Sequence, residues 1–180
     1  MKNKKARSLL LTAIVIIGLA FAGCSSAGGR FGSFTADTLD GGTFSGKDIA
    51  AKDLTVINFW GTFCSPCIAE MPDLAAFEKA LPDNVRLITI CVDAQGNEET
   101  AKMLLEQAGY EGVTLTGGND AFYQLMNDVQ AVPTTIFVGP DGEPAGQEII
   151  GMQPDLEGAY LSAINKALAD SGKAEISLEK

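Results

Sequence analysis

Seven consecutive residues, Leu54 to Trp60 (LTVINFW), form an apolar run rich in strand formers, which predicts a strand buried inside a sheet. Val85 to Val92 (VRLITICV) and Thr134 to Val138 (TTIFV) read the same way. Between them the periodicity becomes helical. Pro66 to Leu81 carries Ile68, Met71, Leu74, Ala75 and Leu81 at helical spacing; Pro82 marks its end and Pro72 predicts a kink within it. Glu98 to Ala108 is amphipathic and closed by Gly109, and Asn119 to Val129 begins on a capping asparagine. Asp155 to Ala169 predicts a closing helix. Phe34 to Phe44 alternates around Asp40-Gly41-Gly42, the pattern of a hairpin. Val113 to Leu115 adds a short strand, and Gly139 to Gly142 is a turn whose return strand is expected over Ala145 to Ile150. The order of elements predicts an α/β fold, a mixed central β-sheet flanked by helices with an N-terminal β-hairpin.

The chain begins with Lys2, Lys4, Lys5 and Arg7 and continues into 14 apolar-rich residues, Leu9 to Ala22. This is the layout of an export signal, and the run is short for a membrane span, which needs roughly 20 residues. Phe21-Ala22-Gly23-Cys24 resembles a bacterial lipoprotein cleavage box, which implies that residues 1–23 are removed and Cys24 is lipidated. Residues 24–33 (CSSAGGRFGS) then read as a flexible tether, 34–170 as the folded domain, and 171–180 as a frayed tail. The mature part loses four of its 13 basic residues and keeps all 23 acidic ones, a formal charge of −14. So acidic a body excludes nucleic acid as an expected partner. The reading is of one domain, a monomer, tethered by lipid outside the cytoplasm of a bacterial cell envelope.

Three cysteines remain beside Cys24: Cys64, Cys67 and Cys91. Cys91 sits inside an apolar strand, where a free cysteine packs as a small hydrophobe. Cys64 and Cys67 stand where strand gives way to helix, and they can be a structural bond, a metal clamp or a redox pair. A disulfide closing so small a loop stabilises by only about 2 kcal/mol in the chain-entropy model. A metal clamp needs about four ligands, and the chain has no histidine. No metal and no other cofactor is therefore expected. A redox pair fits the position: Cys64 opens a helix with Pro66 in its first turn, where free N–H groups and the helix dipole favour a thiolate. Cys67, one turn on, can reach back.

Trp60-Gly61-Thr62-Phe63-Cys64-Ser65-Pro66-Cys67 resembles the active-site motif of the thioredoxin superfamily, nearest its membrane-tethered TlpA/ResA-like branch, which usually has Trp at the place of Phe63. Ala131-Val132-Pro133-Thr134-Thr135 resembles the family's cis-proline loop. The likeness runs from about Phe34 to Ala169. It implies an extracytoplasmic thiol–disulfide oxidoreductase that reduces disulfides of exported proteins with Cys64 as nucleophile and Cys67 as resolving thiol. The redox-active disulfide itself takes the place of a cofactor. The resemblance further implies a cis Val132–Pro133 bond, with Val132, Pro133, Thr134 and Trp60 shaping the site, and a membrane electron donor of the CcdA/DsbD type. Asn58 stands where thioredoxins carry a buried acid, so another group must move the resolving proton. Asp93 is a candidate for that proton transfer, and Glu70, one turn past Cys67, reads as a surface residue. Three other functions stay open: a thiol peroxidase, a copper-binding protein and a solute-binding lipoprotein with an inert cysteine pair.

Overall fold

The computed structural model describes residues 29–178. The chain runs β1 (Thr35–Thr38), β2 (Thr43–Ser45), α1 (Gly46–Ala50), β3 (Leu54–Trp60), α2 (Ser65–Ala80), β4 (Val85–Cys91), α3 (Glu98–Ala108), β5 (Thr114–Gly118), α4 (Asp120–Asp128), β6 (Thr134–Val138), β7 (Ile149–Ile150) and α5 (Leu156–Asp170). One seven-stranded sheet has the order β2-β1-β5-β4-β3-β6-β7. β3, β4 and β5 are parallel, while β1 and β6 join them antiparallel. This is the predicted mixed sheet with its N-terminal hairpin.

All seven residues of β3 are buried because the strand lies between β4 and β6 with helices over both faces. Leu54, Val56 and Trp60 point into one core with Met71 and Leu74 of α2, Leu105 of α3 and Ile164 of α5. Ile57 and Phe59 point into the other, with Ile49 of α1 and Phe122 and Leu125 of α4. Burial of each large apolar side chain contributes about 1.5–3 kcal/mol. The side-chain alternation of β3 therefore fixes both layers. Helix starts follow their sequence signals: Asn119 accepts from Phe122 N–H, Asp155 from Gly158 N–H, and Gly109 ends α3 at φ 71°, where a glycine is favoured. Pro72 lies inside α2, and having no N–H it leaves the Ile68 carbonyl without its helical donor.

Three expectations change, and one element is new. The tether predicted over residues 24–33 is docked over its last five residues. Gly29 and Phe31 N–H donate to the Asp141 and Gly142 carbonyls, Arg30 pairs with Asp128, and Phe31 is 1 % exposed in the second core. A glycine-rich composition had hidden one anchoring aromatic. The tail predicted to fray from 171 folds back instead: Asn165 accepts from Ile176 N–H at 2.8 Å and donates to its carbonyl at 3.0 Å, and Ile176 and Leu178 pack on the first core. The return strand expected over 145–150 shrinks to Ile149–Ile150 plus a Val138–Pro144 bridge. α1 was not foreseen; it is five residues long, too short for a helical period to show, and is marked only by the Ser45/Asp48 capping box.

Candidate active site

β3 ends at Trp60 and hands over to a tight turn in which Cys64 N–H donates to the Gly61 carbonyl at 3.0 Å. A side chain at Gly61 would lie 2.7 Å from the Phe63 ring, so the exposed ring would have to move aside. Cys64 is the N-cap of α2, and its sulfur accepts the Cys67 N–H at 3.2 Å. The two cysteines form a disulfide, and Pro66 occupies the first turn, where its missing N–H costs nothing. Cys64 is 5 % exposed and Cys67 fully buried. A thiolate at Cys64 would thus meet an N–H donor and the positive end of a 16-residue helix.

The Val132–Pro133 peptide is cis. The Cys64 sulfur lies 3.6 Å from the Val132 carbonyl oxygen, so the reduced thiol would have an acceptor there. Thr134 is buried, donates its hydroxyl to the Ala131 carbonyl at 2.9 Å, and starts β6 beside β3. Trp60 is wholly buried in the core with both cysteines, and its indole N–H has no partner among the described residues. Phe63, by contrast, is 70 % exposed. The site thus brings together Trp60, Cys64, Cys67, Val132, Pro133 and Thr134. Cys24 lies outside the described residues. Among those described, no three His, Cys, Asp or Glu side chains converge to hold a metal ion.

Asp93 makes its hydrogen bonds to the turn before Cys64 and to Cys91. Its carboxylate accepts Thr62 N–H at 2.8 Å and the Thr62 hydroxyl, and Cys91 Sγ donates to it at 3.4 Å. Burial pushes the carboxyl up, but the Thr62 and Cys91 hydrogen bonds outweigh it and hold the group below the usual carboxylate range. Asp93 is therefore a clamp on the turn that carries Cys64. Cys91 is fully buried, as expected of a packing thiol, and burial together with the Asp93 charge pushes its thiol up to about 12.

Glu70 corrects the sequence reading. It is 4 % exposed and lies three residues after Cys67 on the same buried face of α2. Asn58 Nδ2 faces the Glu70 carboxylate at 3.3 Å, Thr135 Oγ1 at 3.0 Å and the Tyr160 hydroxyl at 3.4 Å. Burial raises the Glu70 carboxyl above its ordinary value against the pull of the Asn58 amide and the Gln153 N–H. The signal was present in the sequence: Cys67, Glu70, Met71 and Leu74 share one helical stripe, and only the charge argued for solvent.

Residues 27–143 match the family model described as AhpC/TSA family. The chain belongs to the AhpC/TSA family. Within it, a thiol-disulfide oxidoreductase ResA of Bacillus thuringiensis (strain Al Hakam) is 31% identical over 136 residues, 73% of this chain and 75% of the relative. The sporulation thiol-disulfide oxidoreductase A of Bacillus subtilis (strain 168) is 27% identical over 108 residues, 56% of this chain and 64% of that one. Among solved structures, a secreted disulfide oxidoreductase of Mycobacterium tuberculosis superposes with a TM-score of 0.60 at 25% identity, covering 74% of this chain and 97% of that one. This AhpC/TSA member is a thioredoxin-like thiol–disulfide oxidoreductase, and its ResA-type relatives agree with the resemblance drawn from the two motifs.

Proposed function

We propose that the protein reduces disulfides of exported proteins at the outer face of a bacterial membrane, through a dithiol–disulfide cycle of Cys64 and Cys67. One observation carries this reading: the Cys64 sulfur caps α2, taking the Cys67 N–H, and lies beside the Val132 carbonyl of the cis-proline loop. The Cys64 thiolate attacks one sulfur of a substrate disulfide; that S–S bond breaks and its second sulfur leaves as a thiolate that takes up a proton. The mixed disulfide is then attacked by Cys67, which releases the other substrate thiol and closes the Cys64–Cys67 bond. Two electrons have passed to the substrate. Two more must return from a dithiol donor, and the CcdA/DsbD type named by the resemblance has the required chemistry.

Cys67 must lose a proton before it attacks. Glu70 is the group whose position suits it, one turn away on the buried side, with a carboxylate made more basic by burial. Asn58 orients it, and the same amide faces Thr135 and Tyr160. The basic opening of the chain, its short apolar run and Cys24 support export and lipid anchoring. No described helix is long and apolar enough to cross a membrane.

The test uses full-length chain in a non-ionic detergent, assayed for dithiothreitol-driven reduction of a protein disulfide. Activity is expected to vanish in Cys64→Ser, and Cys67→Ser is expected to accumulate substrate as a mixed disulfide. Reduction that survives Cys64→Ser would overturn the mechanism. Consumption of peroxide faster than disulfide would favour the peroxidase alternative.

A further inference from the structure

The surface around Cys64 combines exposed apolar side chains with a one-signed charge, and that pairing specifies a partner. Phe63 is 70 % and Ile150 61 % exposed, the two most exposed large apolar side chains among the described residues, and Met152 is 48 % exposed. All three lie beside the disulfide or the cis-proline loop that meets it. Phe63 precedes Cys64; Ile150 is the ladder partner of Thr134; Gly151 N–H donates to the Pro133 carbonyl at 2.8 Å, placing Met152 next to the cis-proline loop.

The loops at this end of the sheet that lie nearest the disulfide follow β3, β4, β5 and β7 and enter β6. Neither they nor the first turns of α2, α3, α4 and α5 contain a lysine or arginine. They do expose Glu98, Glu99, Asp120, Asp155 and Glu157. Helix starts favour acids, which accounts for their presence. It does not neutralise their carboxylates, which face solvent. Of the cations toward this end, Lys102 is engaged with Glu99 and Arg30 with Asp128, and the exposed Lys47 follows β2, at the far edge of the sheet from β3. Lys52, Lys79, Arg86 and Lys173 lie toward the opposite end, at or near the starts of β3 and β4 and the ends of α2 and α5. Neighbouring strands are about 4.8 Å apart, so α3 and α4 open within two strand spacings of β3, on the order of one Debye length.

We propose that this face docks a cationic polypeptide segment whose disulfide-bonded cysteine is flanked by an apolar residue. The apolar neighbour covers Phe63, Ile150 and Met152, while basic residues meet the carboxylates around them. The proposal rests on the oxidoreductase reading above and names the substrate class of that site. An anionic segment would be repelled as it approached, and a polar one would leave the apolar patch wet.

The probes are three nine-residue peptides with a central cysteine, each oxidised to its disulfide dimer. One flanks the cysteine with Lys and Leu, one with Glu and Leu, and one with Lys and Ser. The reduced full-length chain in non-ionic detergent is mixed with each peptide, and the second-order rate of thiol release is followed from low to high ionic strength. At low salt the Lys/Leu peptide is expected to react about tenfold faster than the Glu/Leu peptide, and the ratio to fall toward one at high salt. Loss of Leu, Phe63→Ala or Ile150→Ala each slows the Lys/Leu reaction severalfold. Neutralising Glu98, Asp120 and Glu157 together (Glu98→Gln, Asp120→Asn, Glu157→Gln) reduces the charge preference; should that variant fold poorly, the salt series on the unaltered chain decides alone. Equal rates for the Lys and Glu peptides at low salt, or a ratio that salt leaves unchanged, would overturn the proposal while leaving the oxidoreductase standing. Failure of every peptide to oxidise the chain would overturn both.

Discussion

Asp93→Ala removes the carboxylate on which two Thr62 donors converge, one the N–H at 2.8 Å and the other the hydroxyl. Hydrogen bonds to a charged group are worth about 1.5–3 kcal/mol each. The carboxylate is half-buried, which puts each near the lower end, and together they come to about 3 kcal/mol. For a domain of this size that corresponds to a fall in Tm of about 6–12 °C. Asp93→Asn keeps an acceptor for the N–H and offers the hydroxyl a donor, so its cost is about 1 kcal/mol. The carboxyl is held below its usual range in the fold, so its stabilisation is present above the unfolded value of about 3.9 and is lost as pH falls through the lower folded value. The gap between the unaltered chain and Asp93→Asn should therefore close in acid. Urea denaturation of the oxidised chains at pH 7 and pH 3 measures both effects. An alanine variant within about 0.5 kcal/mol of the unaltered chain at pH 7 would refute the clamp.

Phe31→Ala should cost about 3–5 kcal/mol in the same assay, since Phe31 fills the second core; a cost near zero would restore the tether to its full predicted length. For Glu70 the sign is opposite to Asp93. Its folded value is raised, so its stabilising contribution is complete below the unfolded value of about 4.3 and is lost as pH rises through the folded one. Glu70→Gln should gain on the unaltered oxidised chain between pH 4 and pH 8, and a gap independent of pH would contradict this. Asn165→Ala gives up both bonds to Ile176 and should cost about 1–2 kcal/mol while exposing the tail to early proteolysis; an unchanged cleavage pattern would show the tail held by its apolar contacts alone.

The sheet was legible because its central strands are uninterrupted apolar runs, and β3 and β6 were placed to the residue. The Cys64-x-x-Cys67 motif was legible because it sits at a strand–helix junction with Pro66 one place into the helix. What escaped notice depends on long-range packing. Glu70 is charged, and nothing local announces that Asn58 and Gln153, 12 and 83 residues away in the chain, will cover it. Phe31 is a single aromatic in a glycine-rich stretch, and its burial depends on the 139–142 turn arriving beside it. Ile176 is held by a side chain 11 residues earlier, again beyond the reach of periodicity. Asp93 lies just past an apolar strand, and its sequence position does not show that its carboxylate accepts from Thr62, 31 residues earlier.

The most direct measurement is the pH dependence of Cys64 alkylation in the reduced chain, read by mass mapping of the Cys64 peptide with iodoacetamide as the reagent. With the Cys67 N–H and the start of α2 beneath its sulfur, Cys64 is expected to reach half-maximal reactivity at least about one pH unit below a cysteine in an unstructured peptide. Coincident curves for the two would contradict the account.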